Sequence, residues 1–155
     1  MTSTVSAATM TITVTESITL NGTQQGSTNT LSVASIKEVF KRIVRCPASN
    51  TTTLVVFNAN VYGAAGAIDL NDAKYIRITN KDDTNELEVA MVAGATNYTV
   101  ALRPGESHIL GMPDDLMLVD DDSGTPSFGT MIDLASIQAN PGGNVIDVEV
   151  FVASA

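Results

Sequence analysis

The chain has 155 residues, a net charge of −9 at pH 7, one cysteine, one histidine and no tryptophan. That length fits one domain burying roughly 68–70% of its unfolded surface, so a core is expected without disulfides or metals. The acidic balance sets phosphate backbones against the protein as a whole, one thiol excludes an internal disulfide, and one imidazole excludes a polyhistidine metal centre.

The first residues, MTSTVSAATM, lack the basic start and apolar stretch of a secretory signal, which predicts synthesis in a cytoplasm. No apolar run nears the roughly 18 residues needed to span a membrane. Residues 1–8 are a candidate extended arm. Residues 9–20, TMTITVTESITL, place Met10, Ile12, Val14, Ile18 and Leu20 on one face and a row of Thr and Ser on the other, a strand interrupted only by Glu16. Residues 21–30, NGTQQGSTNT, carry turn formers and no apolar side chain, which predicts a loop. Residues 35–47 fit two patterns: Ile36, Val39, Phe40, Ile43 and Val44 make a helical stripe, whereas Phe40, Arg42, Val44 and Cys46 make one face of a strand. The β-branched content and the following Pro47 favour the strand. Residues 51–57 are another strand, and the Gly- and Ala-rich 58–69 form a loop whose backbone approaches something closely.

The stretch 72–110 holds the clearest alternation. Ile76 and Ile78 alternate with Tyr75, Arg77 and Thr79, and after the polar turn 80–85, Leu87, Val89 and Met91 alternate with Glu86, Glu88 and Ala90. Tyr98, Val100 and Leu102 continue the pattern, Arg103-Pro104-Gly105-Glu106 breaks it, and a short strand 107–110 follows. Further on, 116–119 reads as a short strand, 120–129 as an acidic turn, and 131–139 as a loop or one helical turn. Residues 145–152 end the pattern as a strand with Ile146, Val148, Val150 and Val152 inward and with Asp147 and Glu149 on the opposite, outward face, which Val145 and Phe151 share. About eight short strands at 8–12-residue spacing predict a single domain, 1–155, built as an all-β antiparallel β-sandwich of jelly-roll type. An immunoglobulin-like sandwich is the runner-up.

Chemistry-bearing residues are few. His108 shares a strand face with Glu106 and Leu110, yet a lone histidine near a turn is read as packed or solvated, with no catalytic role. Cys46, before Pro47 in an apolar segment, reads as a buried structural thiol. Asp114, Asp115, Asp120, Asp121 and Asp122 cluster within the span 114–122, as ligands of a hard cation would. EF-hand spacing fails, because aligning Gly124 with the loop glycine puts Val119 first and Thr130 where a bidentate glutamate belongs. A solvated acidic turn is the reading preferred. Asn21, Asn50 and Asn97 head glycosylation sequons without a secretion signal to make them meaningful, and Gly63-Ala64-Ala65-Gly66 lacks the lysine of a phosphate loop. Lys37, Lys41, Arg42 and Arg45 form the one basic concentration. No catalytic, cofactor-binding or metal-binding residue is assigned, and no cofactor is expected.

The strand ending in Arg77-Ile78-Thr79-Asn80, with its polar turn and the later corner Pro104-Gly105-Glu106-Ser107, resembles small β-sandwich virion proteins of tailed bacteriophages. More loosely, so does the segment 132–152 with its DVEVFV strand. The resemblance implies a non-enzymatic virion subunit without cofactor, a homo-oligomer (trimer or larger ring) that acts through its surfaces on the major capsid protein or another virion protein. The acidic charge favours the outside of the head, as a capsid decoration or cement protein, over contact with packaged nucleic acid. A tail, head–tail connector or fibre-base subunit is the runner-up. A carbohydrate-binding sandwich is a further alternative, disfavoured because aromatic residues are 5% of the chain.

Overall fold

The computed structural model of the chain describes residues 4–119 and 124–155. The architecture is all-β: among the described residues, apart from one turn of 3-10 helix at Val61–Gly63, the regular elements are strands in sheets that are antiparallel but for one pairing. The chain divides into two compact units, one running to Glu38 and including Ala155, the other Val39–Ser154.

The first unit is a β-ribbon of β1 (Ala8–Thr15), β2 (Thr19–Leu20), β3 (Thr23–Gln24) and β4 (Thr28–Ile36). β1 runs antiparallel to β4 with Met10 opposite Val33 and Ile12 opposite Leu31, alternating with Thr11 opposite Ser32 and Thr13 opposite Thr30. The two-residue period therefore gives the ribbon one apolar face and one hydroxyl face. At the tip, β2 pairs with β3 through Asn21-Gly22, whose φ angles of 51° and 78° are those of a two-residue hairpin turn matched to strand twist. The strand expected over 9–20 thus stops at Thr15, and the loop expected over 21–30 is largely a hairpin. Composition misled there because a ribbon with little core needs few apolar residues, while Asn-Gly was the local signal. Below the tip the strands draw together: Glu16 N–H donates to the Ser27 carbonyl at 2.8 Å, and Ser27 Oγ donates to Glu16 Oε2 at 2.9 Å. Gly26 is required in that crossing, since a Cβ on it would lie 1.9 Å from the Glu16 carbonyl oxygen.

The second unit is an antiparallel β-sandwich. Its strands are β5 (Glu38–Cys46), β6 (Thr52–Asn58), β7 (Ile68–Asp69), β8 (Ala73–Asn80), β9 (Leu87–Ala93), β10 (Thr96–Leu102), β11 (Ser107–Leu110), β12 (Met117–Leu118), β13 (Met131–Ile132), β14 (Ser136–Asn140) and β15 (Ile146–Ser154). One sheet has the order β10-β9-β14-β6-β7, the other β11-β8-β15-β5, and β12 pairs with β13 outside both. The one parallel pairing described sets Phe57 beside Ile68 and Asn58 beside Asp69. The chain crosses between the sheets after β5, β7, β8, β10 and β14, and again from β11 to β14 by way of β12 and β13, so each sheet is assembled from strands distant in sequence.

The inward rows meet in one core. Ile146, Val148, Val150 and Val152 of β15 have no exposed surface, nor do Ile76 and Ile78 of β8 or Leu87, Val89 and Met91 of β9. Burial of each such side chain stabilises by about 1.5–3 kcal/mol, which makes these rows the main hold on the fold. The strand reading of 35–47 agrees with β5, whose Val44 and Cys46 are buried, although Arg42 on the same row is exposed. A further expectation is corrected. Residues 131–139 are not a loop or helical turn: β14 is an interior strand, hydrogen-bonded to β9 on one side and β6 on the other. Its Ser136, Gln138 and Asn140 disguised it, leaving Ile137 and Ala139 as the only apolar alternation. Glu149 lies on the outer face of the sheet, yet only 9% of it is exposed, because it sits there between Arg77 and Lys41.

Candidate functional site

The two motifs that carry the sequence resemblance are joined in space, and every residue of the first has a structural task. Arg77 Nη2 donates to Glu149 Oε1 at 2.6 Å, and its guanidinium stands 5.8 Å from the Phe151 ring centroid. Its Nη1 also donates to the Thr79 hydroxyl. Ile78 is core. Thr79 Oγ1 meets Ser107 Oγ at 2.7 Å. Asn80, fully buried, donates from Nδ2 to the carbonyls of Asn85 and Leu102, both at 2.9 Å, while its Oδ1 accepts the Asp82 N–H. The turn it anchors is closed by Asp82 Oδ1, which accepts from the N–H groups of Thr84 and Asn85; these bonds hold the Asp82 carboxyl below its ordinary value.

On the outer face of the four-stranded sheet, Lys41, Glu149, Arg77, Thr79 and Ser107 form a polar chain reaching across β5, β15, β8 and β11. Hydrogen bonding from Arg77 is the main reason the Glu149 carboxyl is held below its usual value.

His108 lies at the open margin of the sandwich, on β11, and faces Tyr98 of β10 in the other sheet. The rings are edge to face at 6.2 Å, with Tyr98 Oη 3.4 Å from His108 Nε2. Partial burial pushes the imidazole down and the phenol up from their ordinary values. Its companion is therefore Tyr98 and not Glu106, whose Oε2 accepts the Arg103 N–H at 2.9 Å. Cys46 is buried, and burial pushes its thiol up, away from the thiolate that a nucleophile needs.

No protein-family model matches the chain, and no curated protein does. The residues themselves must carry the functional reading.

Among the acidic residues singled out in the sequence, Asp114 and Asp115 come together with Asp133, which sequence reading did not include. Carboxylate oxygens of the three lie within 4.8 Å of one another. Asp133 arrives because β12 pairs with β13, and it accepts the Asp115 N–H at 3.0 Å. Desolvation, then the Asp133 carboxyl, push Asp114 above its ordinary value. Asp120, Asp121 and Asp122 lie outside the described residues. Three carboxylates in this arrangement form a locus of concentrated negative charge.

Two further surfaces stand out. A shallow depression of about 250 Å³ on the outer face of the five-stranded sheet is lined by Asn97, Thr99, Gln138 and Asn140 among others, with no aromatic ring. It offers a sugar hydrogen bonds and no stacking platform. The ribbon is the more unusual feature. Leu31 on its apolar face is 57% exposed, and Leu20 at its tip is 59% exposed, alongside exposed Val14 and Ile18. A two-stranded ribbon on its own is marginally stable in water, and this one keeps several apolar side chains exposed.

Proposed function

We propose that this chain is a non-enzymatic structural subunit that works by being built into a larger assembly, and specifically a capsid decoration subunit on the outside of a phage head. The observation that carries the reading is the ribbon. Ile12, Val14, Leu31 and Val33 share one face of β1 and β4, an apolar row that a partner surface would cover. The two motifs that resemble those of phage virion sandwiches support the same reading from the scaffold side, since they hold β8 to β11 and fix the turn after β8. The net charge of −9 suits an exterior position better than contact with packed DNA. The partner in this reading is the major capsid protein, engaged by many weak contacts repeated by symmetry.

Complementation tests it. Particles made without the chain should form with normal shape but release DNA at lower temperature or milder osmotic shock, and added protein should restore resistance. The doubly substituted Ile12→Asp, Leu31→Asp protein should fail to restore it. Tailless or non-adsorbing particles of unchanged head stability would instead make the chain a tail or connector subunit.

A further inference from the structure

We infer that the β5 edge of one copy docks on the acidic end of a second copy, at the opposite edge of the same sheet, so that subunits join head to tail. The inference deepens the assembly reading above and rests on it.

Charge is segregated along this chain. β5 holds Lys41, Arg42 and Arg45 against one acidic residue, Glu38, a net +2, which leaves −11 on the remainder of a chain whose total is −9. These three of the eight basic residues fall on one strand. β5 is the last strand of the order β11-β8-β15-β5, so among the described residues one side of its backbone ladder has no strand hydrogen-bonded to it. A nine-residue edge of this kind is a template for pairing or docking. Its lysine and arginines discourage unselective pairing, yet Val39 at 54% and Ile43 at 60% exposure alternate with Lys41 and Arg45 on its outer face. Apolar and cationic side chains in one row call for a partner that is apolar and anionic.

The molecule itself presents such a partner. The other edge of that sheet is β11, about 14 Å away at three strand spacings, and the chain leaving β11 carries Asp114 and Asp115, joined by Asp133. Beside them Leu116 is half-buried, Met112 is 41% exposed and Val119 is exposed, which supplies the apolar component. Among the described residues no ion pair links Lys41, Arg42 or Arg45 to these aspartates; Lys41 pairs with Glu149 at 3.5 Å. The two charged groups therefore belong to opposite edges of the sheet, are not paired with each other within one copy among the described residues, and can be satisfied between copies. Opposite, complementary edges make a heterologous contact, which closes into a ring when the rotation between copies allows.

Sedimentation velocity on the full chain tests this. The unaltered protein should sediment as species heavier than the 16.2 kDa monomer at low ionic strength, and revert to monomer near ~1 M NaCl, where the screening length falls to about 3 Å. Arg42→Glu with Arg45→Glu should be monomeric at low salt, as should Asp114→Lys. An equimolar mixture of the two variants should re-form the heavier species, because each mismatched edge then meets its complement. Should a variant fail to fold, the salt titration of the unaltered protein decides the matter. A monomer at low salt overturns the inference, as do oligomers indifferent to salt and charge reversal. In either case a decoration role remains separately measurable, by restoration of particle stability.

Discussion

Asn80 donates its backbone N–H to the carbonyl of Glu106 at 3.0 Å, joining the end of β8 to the corner that opens β11. The two sequence motifs that look independent along the chain are thus one structural unit. The Asn80 side chain extends the same junction to Asn85, Leu102 and Asp82, so one buried residue ties β8 to β10, to the turn after β8 and to the corner before β11. Asn80→Ala should leave two carbonyls and an N–H without partners and lower stability by about 2–4 kcal/mol. Chemical denaturation measures it; a change below about 0.5 kcal/mol would show that the junction is supported elsewhere.

Val148 and Glu149 are neighbours on opposite faces of β15. Val148→Asp puts an unpaired charge into a fully buried row and should cost several kcal/mol. Glu149→Gln should cost about 1–2 kcal/mol, more than a solvent-facing residue would, because it weakens the Arg77 pair. Lys41, whose side chain is 58% exposed, adds little to that figure. Equal melting shifts for the two variants would contradict the assigned facing.

The Glu149 carboxyl also sets a pH dependence. Its folded value lies below the unfolded one, so its contribution is present above about pH 4.3 and is lost as pH falls through the folded value. Acidifying from about pH 5 to pH 3 should therefore lower the melting temperature of the unaltered protein more than that of Glu149→Gln. Parallel curves would remove Glu149 from the account.

Cys46 has no exposed surface and its thiol is pushed up by burial. The native protein should react with a thiol reagent only as fast as it unfolds. Stability from the neutral thiol is complete below the unfolded value of about 8.5 and lost as pH rises above it, so Cys46→Ala should flatten the alkaline limb of the melting curve. Rapid labelling under native conditions would contradict the burial.

Gly26→Ala should open the ribbon where Glu16 and Ser27 cross, since the added carbon meets backbone and no side chain can yield. Amide exchange at Glu16 and along β1 and β4 should accelerate. Unchanged protection there would show that the crossing is looser than drawn.

What was legible in the sequence follows from where burial is one-sided. β8 to β11 and β15 announce themselves because their inner rows are Ile, Val, Leu and Met, and because Pro104 and Gly105 mark the corner. β14 was hidden because its outer row is Ser136, Gln138 and Asn140, leaving two apolar residues to signal an interior strand. β4 was hidden for the reverse reason, being a hydroxyl-rich strand of a ribbon that has little core to pattern it. Asp133 could not be placed beside Asp114 because only the β12–β13 pairing brings it there. The paired role of Glu149 depends on Arg77, 72 positions away, which no local pattern reveals.

Electron cryomicroscopy of the intact particle tests the central claim most directly. Density for this sandwich is expected on the outer surface of the head, in copies that follow the shell's symmetry, with the β1–β4 ribbon covered by shell protein. Density confined to the tail or connector, or a ribbon free in solvent, would contradict it.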